Sequence, residues 1–284
     1  MLDPEEFEVL RPRLKRLAYR MLGSWSEAED LVQDTYLRLA SSPPARNLEA
    51  LARTTLARLC LDRLKSARAR REAYLGEWLP EPVLDSALFP HHDPAAELEN
   101  KETLAYGLLV LLEQLTPEER MVFVLREALS LSFREVAGIL GKAEAGCRQL
   151  MVRARRRISL PQARGQLTPA LLDRFIEALH GADAAALKSV FAEGIVSISD
   201  GGGKASAALR PLLGVEKVLA FLLGLARKAP PGLSWRRVQS NDQLCLLLYQ
   251  DGELITAFLP QMQGEVIQQL FIMRNPDKLG ALRY

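Results

Sequence analysis

Several residue groups in this chain have the types and spacing to do chemistry. Asp30 and Asp34 stand four apart, which on a helix sets two carboxylates on one face, an arrangement that can hold a metal ion or move a proton. No histidine or third acid joins them at fitting spacing. That face is therefore a solvated surface or a docking face for a basic partner. Asp200-Gly201-Gly202-Gly203-Lys204 is a glycine-rich loop ending on a cation, as in a phosphate cradle. It lacks the G-x-x-x-x-G-K-[ST] spacing of a nucleotide site, and a flexible contact loop is the better reading. His91 and His92 could bind metal but have no thiols nearby, and they read as loop histidines. Cys60, Cys147 and Cys245 are odd in number, far apart and without C-x-x-C spacing, which argues against a disulfide framework or zinc site and fits a reducing cytoplasm. What remains is electrostatic. Arg153, Arg155, Arg156 and Arg157 form a dense basic run, and no acid occurs between Glu144 and Asp173. Arg58, Arg63, Lys65, Arg68, Arg70 and Arg71 form a second.

The elements that carry the first run are legible. Thr116-Pro117-Glu118-Glu119 is a capping box with proline at the first helical position. Met121, Leu125, Ala128 and Leu129 then make an apolar stripe. Ser132-Phe133-Arg134-Glu135 is a second capping box, followed by Val136, Ala137 and Leu140, and Gly141 ends that short helix. A third helix puts Cys147, Leu150, Met151, Ala154 and Ile158 on one face, with Glu144, Ala145, Arg148, Gln149 and Arg156 opposite. A short helix, a turn with glycine and a basic second helix make a helix-turn-helix, the geometry that enters a DNA major groove. Three amphipathic helices also build ordinary bundles, but a merely solvated helix usually mixes both signs of charge.

With 284 residues and a net charge of +2, the chain has room for one or two sizeable cores, and any nucleic-acid surface must be local. The acidic, polar start Met1–Glu6 is no signal peptide, and the longest apolar run, Val218–Ala226, is too short to span a bilayer. Phe7, Leu10, Leu14, Leu17 and Met21 line a first helix, kinked or restarted at Pro12. Ser26-Glu27-Ala28-Glu29 reads as the capping box of a second, which buries Ala28, Leu31, Val32, Thr35 and Leu39 and turns Asp30, Gln33, Asp34 and Leu37 outward. A loop over Ser41–Asn47 precedes a long helix from Leu48 to about Ala73. Residues 74–94 are rich in proline yet apolar, with Trp78, Leu79, Val83, Leu84, Leu88 and Phe89. They read as a linker that docks on something. A helix over Ala95–Leu115 leads into the helix-turn-helix. Ser159–Gln166 is a boundary. Beyond it come helices at 169–179 and 184–191, a strand at Ile195–Ser199, a helix at Gly214–Ala226 and four strands joined by turns. Asp251-Gly252 is a hairpin signal. Helices followed by antiparallel strands make this part α+β.

Glu27 through Arg38 resembles region 2 of the extracytoplasmic-function sigma factors, Leu61-Asp62-Arg63-Leu64 and the arginines after it fit the end of that region, and Thr116–Ile158 resembles their region 4. Trp78-Leu79-Pro80-Glu81-Pro82 is similar to the linker motif of one subgroup, whose members carry an extra C-terminal domain. Asp200–Lys204 and Asn275-Pro276-Asp277-Lys278-Leu279 resemble two motifs of that domain, a SnoaL-like cone of the nuclear-transport-factor-2-like fold. The resemblance implies a region 2 domain over 1–73, a linker over 74–94, a region 4 domain over 95–160 and a regulatory cone over 167–284. It implies a subunit that binds core RNA polymerase and directs promoter-specific initiation. Asp30, Gln33, Asp34 and Leu37 would dock on the β′ clamp helices, with the β flap as a second polymerase contact. Asn47 and the basic residues of the long helix would serve the −10 element. Glu144, Arg148, Gln149, Arg153, Arg155 and Arg156 would serve the −35 element. Arg suits a guanine edge and Gln an adenine edge, while the later arginines suit phosphate. No aromatic residue occurs between Leu37 and Ala73, and Leu51 stands where the subgroup tends to have one. Base capture is thereby left to a pocket in the Ser41–Asn47 loop. The fused cone would regulate in cis through the linker and glycine-loop motifs, without requiring a separate anti-sigma partner. Apart from the resemblance, a Lys204–Glu81 pair is expected to tie the glycine loop to the linker. SnoaL-like cones include enzymes, but His180 is the only histidine in this part and few acids fall on inward strand positions. A small apolar ligand in the cone is the further possibility. No cofactor, metal or membrane contact is expected.

Overall fold

The computed structural model describes residues 2–43, 46–89, 104–158, 165 and 167–283, with backbone alone for 67–72. The chain divides into two compact units, Met1–Ala73 with Ser86–Leu160, and Tyr74–Asp85 with Pro161–Tyr284.

The first unit is helical. Helix α1 (Pro4–Leu22) starts where the Asp3 side chain accepts from the Glu5 amide, and it ends at Gly23, whose φ of 69° suits a residue without Cβ. Pro12 lies inside α1 without ending it. Helix α2 (Trp25–Ala40) is capped by Ser24, which accepts from the Glu27 amide at 3.1 Å, two residues earlier than the expected cap at Ser26. Its buried side is the expected one, Ala28, Leu31, Val32, Thr35 and Leu39. Helix α3 (Leu48–Glu72) opens with Asn47 Oδ1 accepting from the Ala50 amide at 2.9 Å. After the short α4 (Asp85–Leu88), the described chain resumes at Leu104 and forms α5 (Tyr106–Leu112). The Pro-rich stretch beyond Phe89, with His91 and His92, and most of the residues expected in a 95–115 helix lie outside the described residues.

Helices α6 (Pro117–Glu127), α7 (Phe133–Leu140) and α8 (Glu144–Arg157) form the helix-turn-helix. Both expected capping boxes are present, and Gly141 ends α7 at φ 63°. Helix α6 is buried beyond the expected stripe, with Met121 through Leu125 all covered, because α1 and α3 pack on it as well as α8. One side chain anchors that packing. Arg120, 2% exposed, donates Nε and Nη2 to the Arg20 carbonyl at 3.2 and 3.1 Å, and Nη1 to Glu113. Arg20 lies in the last turn of α1, where carbonyls lack a helical partner, so Arg120 caps α1 from a distance.

The second unit, where the sequence leads one to expect a SnoaL-like cone, is α+β. Helices α9 (Pro169–His180), α10 (Ala184–Val190) and α11 (Val215–Arg227) pack on a six-stranded sheet in the order β2-β1-β6-β5-β4-β3. The strands are β1 (Phe191–Asp200), β2 (Leu212–Leu213), β3 (Leu233–Ser240), β4 (Gln243–Gln250), β5 (Glu253–Gln263) and β6 (Val266–Met273). Strand β1 runs parallel to β6, and the other pairs are antiparallel. Phe175, Leu187, Val218 and Leu222 of the helices share one core with Ile195, Leu246, Phe258, Leu270 and Ile272 of the sheet. Asp251 and Gly252 turn β4 into β5 at φ 50° and 86°, the primed turn that the Asp-Gly pair predicts.

Candidate nucleic-acid interface

Helix α8 buries Cys147, Leu150, Met151 and Ala154, which fixes what its other side presents. Arg148 pairs with Glu144 one turn back at 2.8 Å, and its guanidinium lies 5.4 Å from the Phe133 ring. Gln149 and Arg156 are exposed and have no side-chain partner among the described residues. The rest of the arginine run is not free. Glu119, the buried acid of the first capping box, pairs with Arg153 at 3.2 Å and Arg157 at 3.3 Å, and Glu127 pairs with Arg155 at 2.7 Å. Burial opposes the charge of Glu119, yet its bonds to Thr116 and Arg153 and the charge of Arg157 hold its carboxyl below the usual range. On α2, Asp30, Gln33, Asp34 and Leu37 are all exposed and without side-chain partners among the described residues, and Leu37 is 61% exposed. On α3, Lys65 is exposed. Arg63 pairs with Glu27 at 3.2 Å, and Arg58 donates to the carbonyls of Ile139 and Gly138 at 3.2 and 3.3 Å, at the end of α7. The side chains of Arg68, Arg70 and Arg71 lie outside the described residues.

A polar cluster in the second unit brings the linker and the two C-terminal motifs together. Asp200, fully buried at the end of β1, accepts from the Tyr74 hydroxyl (2.7 Å), the Gly202 amide (3.0 Å), the Leu79 amide (2.9 Å) and Lys278 Nζ (2.7 Å). Lys278 Nζ also donates to the Leu79 carbonyl at 2.7 Å, and it lies 3.9 Å from the Trp78 ring and 5.0 Å from the Tyr74 ring. Asn275 Nδ2 donates to the Tyr74 oxygen at 2.8 Å. Burial, reinforced by the bond to Asp200, pushes the Tyr74 phenol pKa upward. The glycine loop is closely packed at its first two glycines. A Cβ on Gly201 would meet the Ala205 carbonyl oxygen at 2.1 Å, and one on Gly202 would meet Asn275 Nδ2 at 2.3 Å. Farther along, Val83 is held at both backbone groups. Its amide donates to Asn241 Oδ1 at 2.9 Å, and its carbonyl accepts from the Asn241 amide at 3.1 Å and the Ser240 hydroxyl at 2.9 Å.

Residues 7–70 match Sigma-70 region 2, and residues 107–158 match Sigma-70, region 4. The chain is 37% identical over 271 residues to the ECF RNA polymerase sigma factor SigJ of Mycobacterium tuberculosis (strain ATCC 25618 / H37Rv), across 93% of this chain and 84% of that relative. This chain belongs to the extracytoplasmic-function sigma factors. The probable ECF RNA polymerase sigma factor SigI of the same strain is 34% identical over 198 residues, 67% of each chain. The crystal structure of M. tuberculosis SigJ superposes with a TM-score of 0.77 at 32% identity, covering 98% of this chain and 99% of that one.

Within this sigma factor, region 2 comprises α1 to α3, and region 4 holds the helix-turn-helix. The glycine loop, the Asn275–Leu279 segment and the Trp78–Pro82 linker motif converge on one carboxylate, Asp200. One expected contact is corrected: Lys204 pairs with Asp277 and not with Glu81. The lysine that reaches the linker is Lys278, because the 3-10 turn Pro276–Lys278 turns its side chain inward, and it is 8% exposed against 57% for Lys204. Sequence reasoning passed over Tyr74, Ser240 and Asn241. Asn241-Asp242 is the β3–β4 turn, at φ 52° and 58°, and an Asn-Asp pair between two apolar runs is a signal that could have found it.

Proposed function

We propose that this sigma factor docks on core RNA polymerase through the outer face of α2 and reads two promoter elements with separate modules. Asp30, Gln33, Asp34 and Leu37 form the polymerase face. Exposed carboxylates beside an exposed leucine, with no side-chain partner among the described residues, suit a basic helix with an apolar strip. The observation that carries the DNA reading is the outer face of α8. Gln149 and Arg156 present free donors there, while the acids that could oppose the run are drawn away to Arg153, Arg155 and Arg157. Arg148 and Gln149 read base edges in the −35 element, and Arg156 takes phosphate. Asn47, Lys65 and the arginines at the end of α3 serve the −10 element. Arg58 reaches DNA only after leaving the α7 carbonyls that hold it.

The cone acts as a cis regulator and not as an enzyme. Support comes from the Asp200–Lys278 cluster, which holds the segment joining region 2 to region 4. The cavity inside the cone has no carboxylate among its described lining residues, and His180 Nε2 accepts from the Trp235 indole at 2.9 Å. Purified full-length chain with core polymerase on a cognate promoter provides the test. Transcription is expected, at a level altered by Asp200→Asn with promoter choice unchanged. Asp30→Ala with Asp34→Ala should lower affinity for core polymerase without altering thermal stability. Unchanged affinity would refute the docking face, and unchanged transcription in Asp200→Asn would refute regulation through the cluster.

A further inference from the structure

The concave side of the cone encloses a cavity of about 240 Å³. Its walls are hydrocarbon: Leu179, Leu222, Leu248, Phe258 and the Trp235 ring among others. A cavity of about 150 Å³ accepts benzene, so this one has room for a ring with substituents or for two fused rings. Its charged lining residues, Arg274 and Lys228, are both cations. Arg274 is half-buried, Lys228 and His180 are exposed, and no acid is among the described lining residues.

Arg274 is incompletely satisfied. Its Nη1 donates to the Ser206 carbonyl. Its Nε is buried and has no acceptor, and Nη2 has none among the described residues. Nε and Nη2 form the edge of a guanidinium that takes a carboxylate through two parallel hydrogen bonds. A buried donor without an acceptor is costly, and an anion would remove that cost. Burial alone, with no compensating charge, already lowers the Arg274 pKa. The register supports the placement. Ala257 pairs with Met273, so Arg274 comes beside Thr256, on the side of the sheet that Ile272 and Phe258 turn to the core. The Thr256 hydroxyl also has no partner among the described residues.

We propose that the cone of this sigma factor binds a small carboxylic acid with a one- or two-ring hydrocarbon body, its carboxylate seated on the Nε–Nη2 edge of Arg274. The site lies next to the linker cluster. The amides of Arg274 and Asn275 both donate to the Asp200 carbonyl, at 2.8 and 3.0 Å. Occupancy therefore bears directly on the residue that holds Tyr74 and Leu79. This part rests on the reading of the cone as a regulator, whereas binding itself does not.

Isothermal titration of the full-length chain tests the proposal, with 2-naphthoate, the uncharged 2-naphthalenemethanol and acetate as probes. The acid should bind roughly tenfold or more tightly than the alcohol or acetate. Arg274→Gln should bring the acid down to the level of the alcohol and leave alcohol binding unchanged. Arg274→Lys keeps the charge but removes the paired donors, and it should lose most of the preference. Leu248→Trp fills the cavity and should abolish binding of both ring compounds. Equal binding of acid and alcohol, no binding of either, an acid preference that survives Arg274→Gln, or retained binding in Leu248→Trp would each overturn the site. Acid binding that leaves transcription unchanged would spare the site and count only against the regulatory reading.

Discussion

Lys278→Met tests the linker cluster most directly. Methionine keeps most of the length and the apolar contact with Trp78 but removes the one cation on Asp200 among the described residues. The carboxylate would stay at 0% exposure with the Tyr74, Leu79 and Gly202 donors and no counter-charge. Breaking a buried pair in this way costs about 3–5 kcal/mol. Domains are stable by about 5–15 kcal/mol, so the loss is a large fraction of the whole. At roughly 2–4 °C per kcal/mol, the second unit should melt about 10 °C lower. The neighbouring pair supplies the control. Lys204 and Asp277 are 57% and 61% exposed, so Lys204→Met should cost at most about 1 kcal/mol. Adding Asp200→Asn to Lys278→Met should recover part of the loss, because no charge is then left buried. Urea unfolding followed by tryptophan fluorescence, in a Trp25→Phe background, reads the second unit through Trp78 and Trp235. A cost for Lys278→Met below about 1 kcal/mol, or one equal to that of Lys204→Met, would refute the reasoning.

Arg120→Met should destabilise the helical unit by about 3–5 kcal/mol, since it leaves Glu113 without its buried partner and uncaps the Arg20 carbonyl. A urea midpoint like that of the parent chain would argue against this. Arg148→Ala should cost roughly 1–3 kcal/mol at one −35 base pair, measured across single-base promoter variants. Arg156→Ala should instead weaken all promoters alike and reduce the salt slope of binding by about one. Exchanged behaviour would swap the two roles. Cys60, Cys147 and Cys245 are buried, and burial raises all three thiols, that of Cys245 to about 12. The native chain should therefore resist Ellman's reagent until unfolded, and rapid reaction of any thiol would contradict that burial.

Local chemistry was legible in the sequence. The Thr116 and Ser132 capping boxes, the Gly141 stop, the buried side of α2 and the Asp251-Gly252 turn each follow from residues a few positions apart. Contacts across long separations were not. Nothing around Glu119 signals that it pairs with Arg153 and Arg157, so the arginine run looked freer than it is. The α6 stripe understated its burial because helices far away in sequence cover its second side. Strand β1 joins β6 in parallel, and β2 is two residues long, too short to leave a pattern. The choice between Lys204 and Lys278 turned on which lysine a 3-10 turn points inward, and spacing alone does not specify that.

The grip of the cone on residues 74–85 has a further consequence in polymer terms. Released and extended at ~3.4 Å per residue, that stretch would reach about 40 Å. While held by the Asp200–Lys278 cluster, that stretch does not extend. For two joined binding modules, the concentration of one at the other's target falls roughly as the −3/2 power of linker length once the span is met. Below that span it is close to zero. On the proposed regulatory reading, once region 2 and region 4 part from each other Asp200 and Lys278 would set how long a leash separates the two promoter readers, and a change of leash would alter avidity for a whole promoter without touching a single DNA contact.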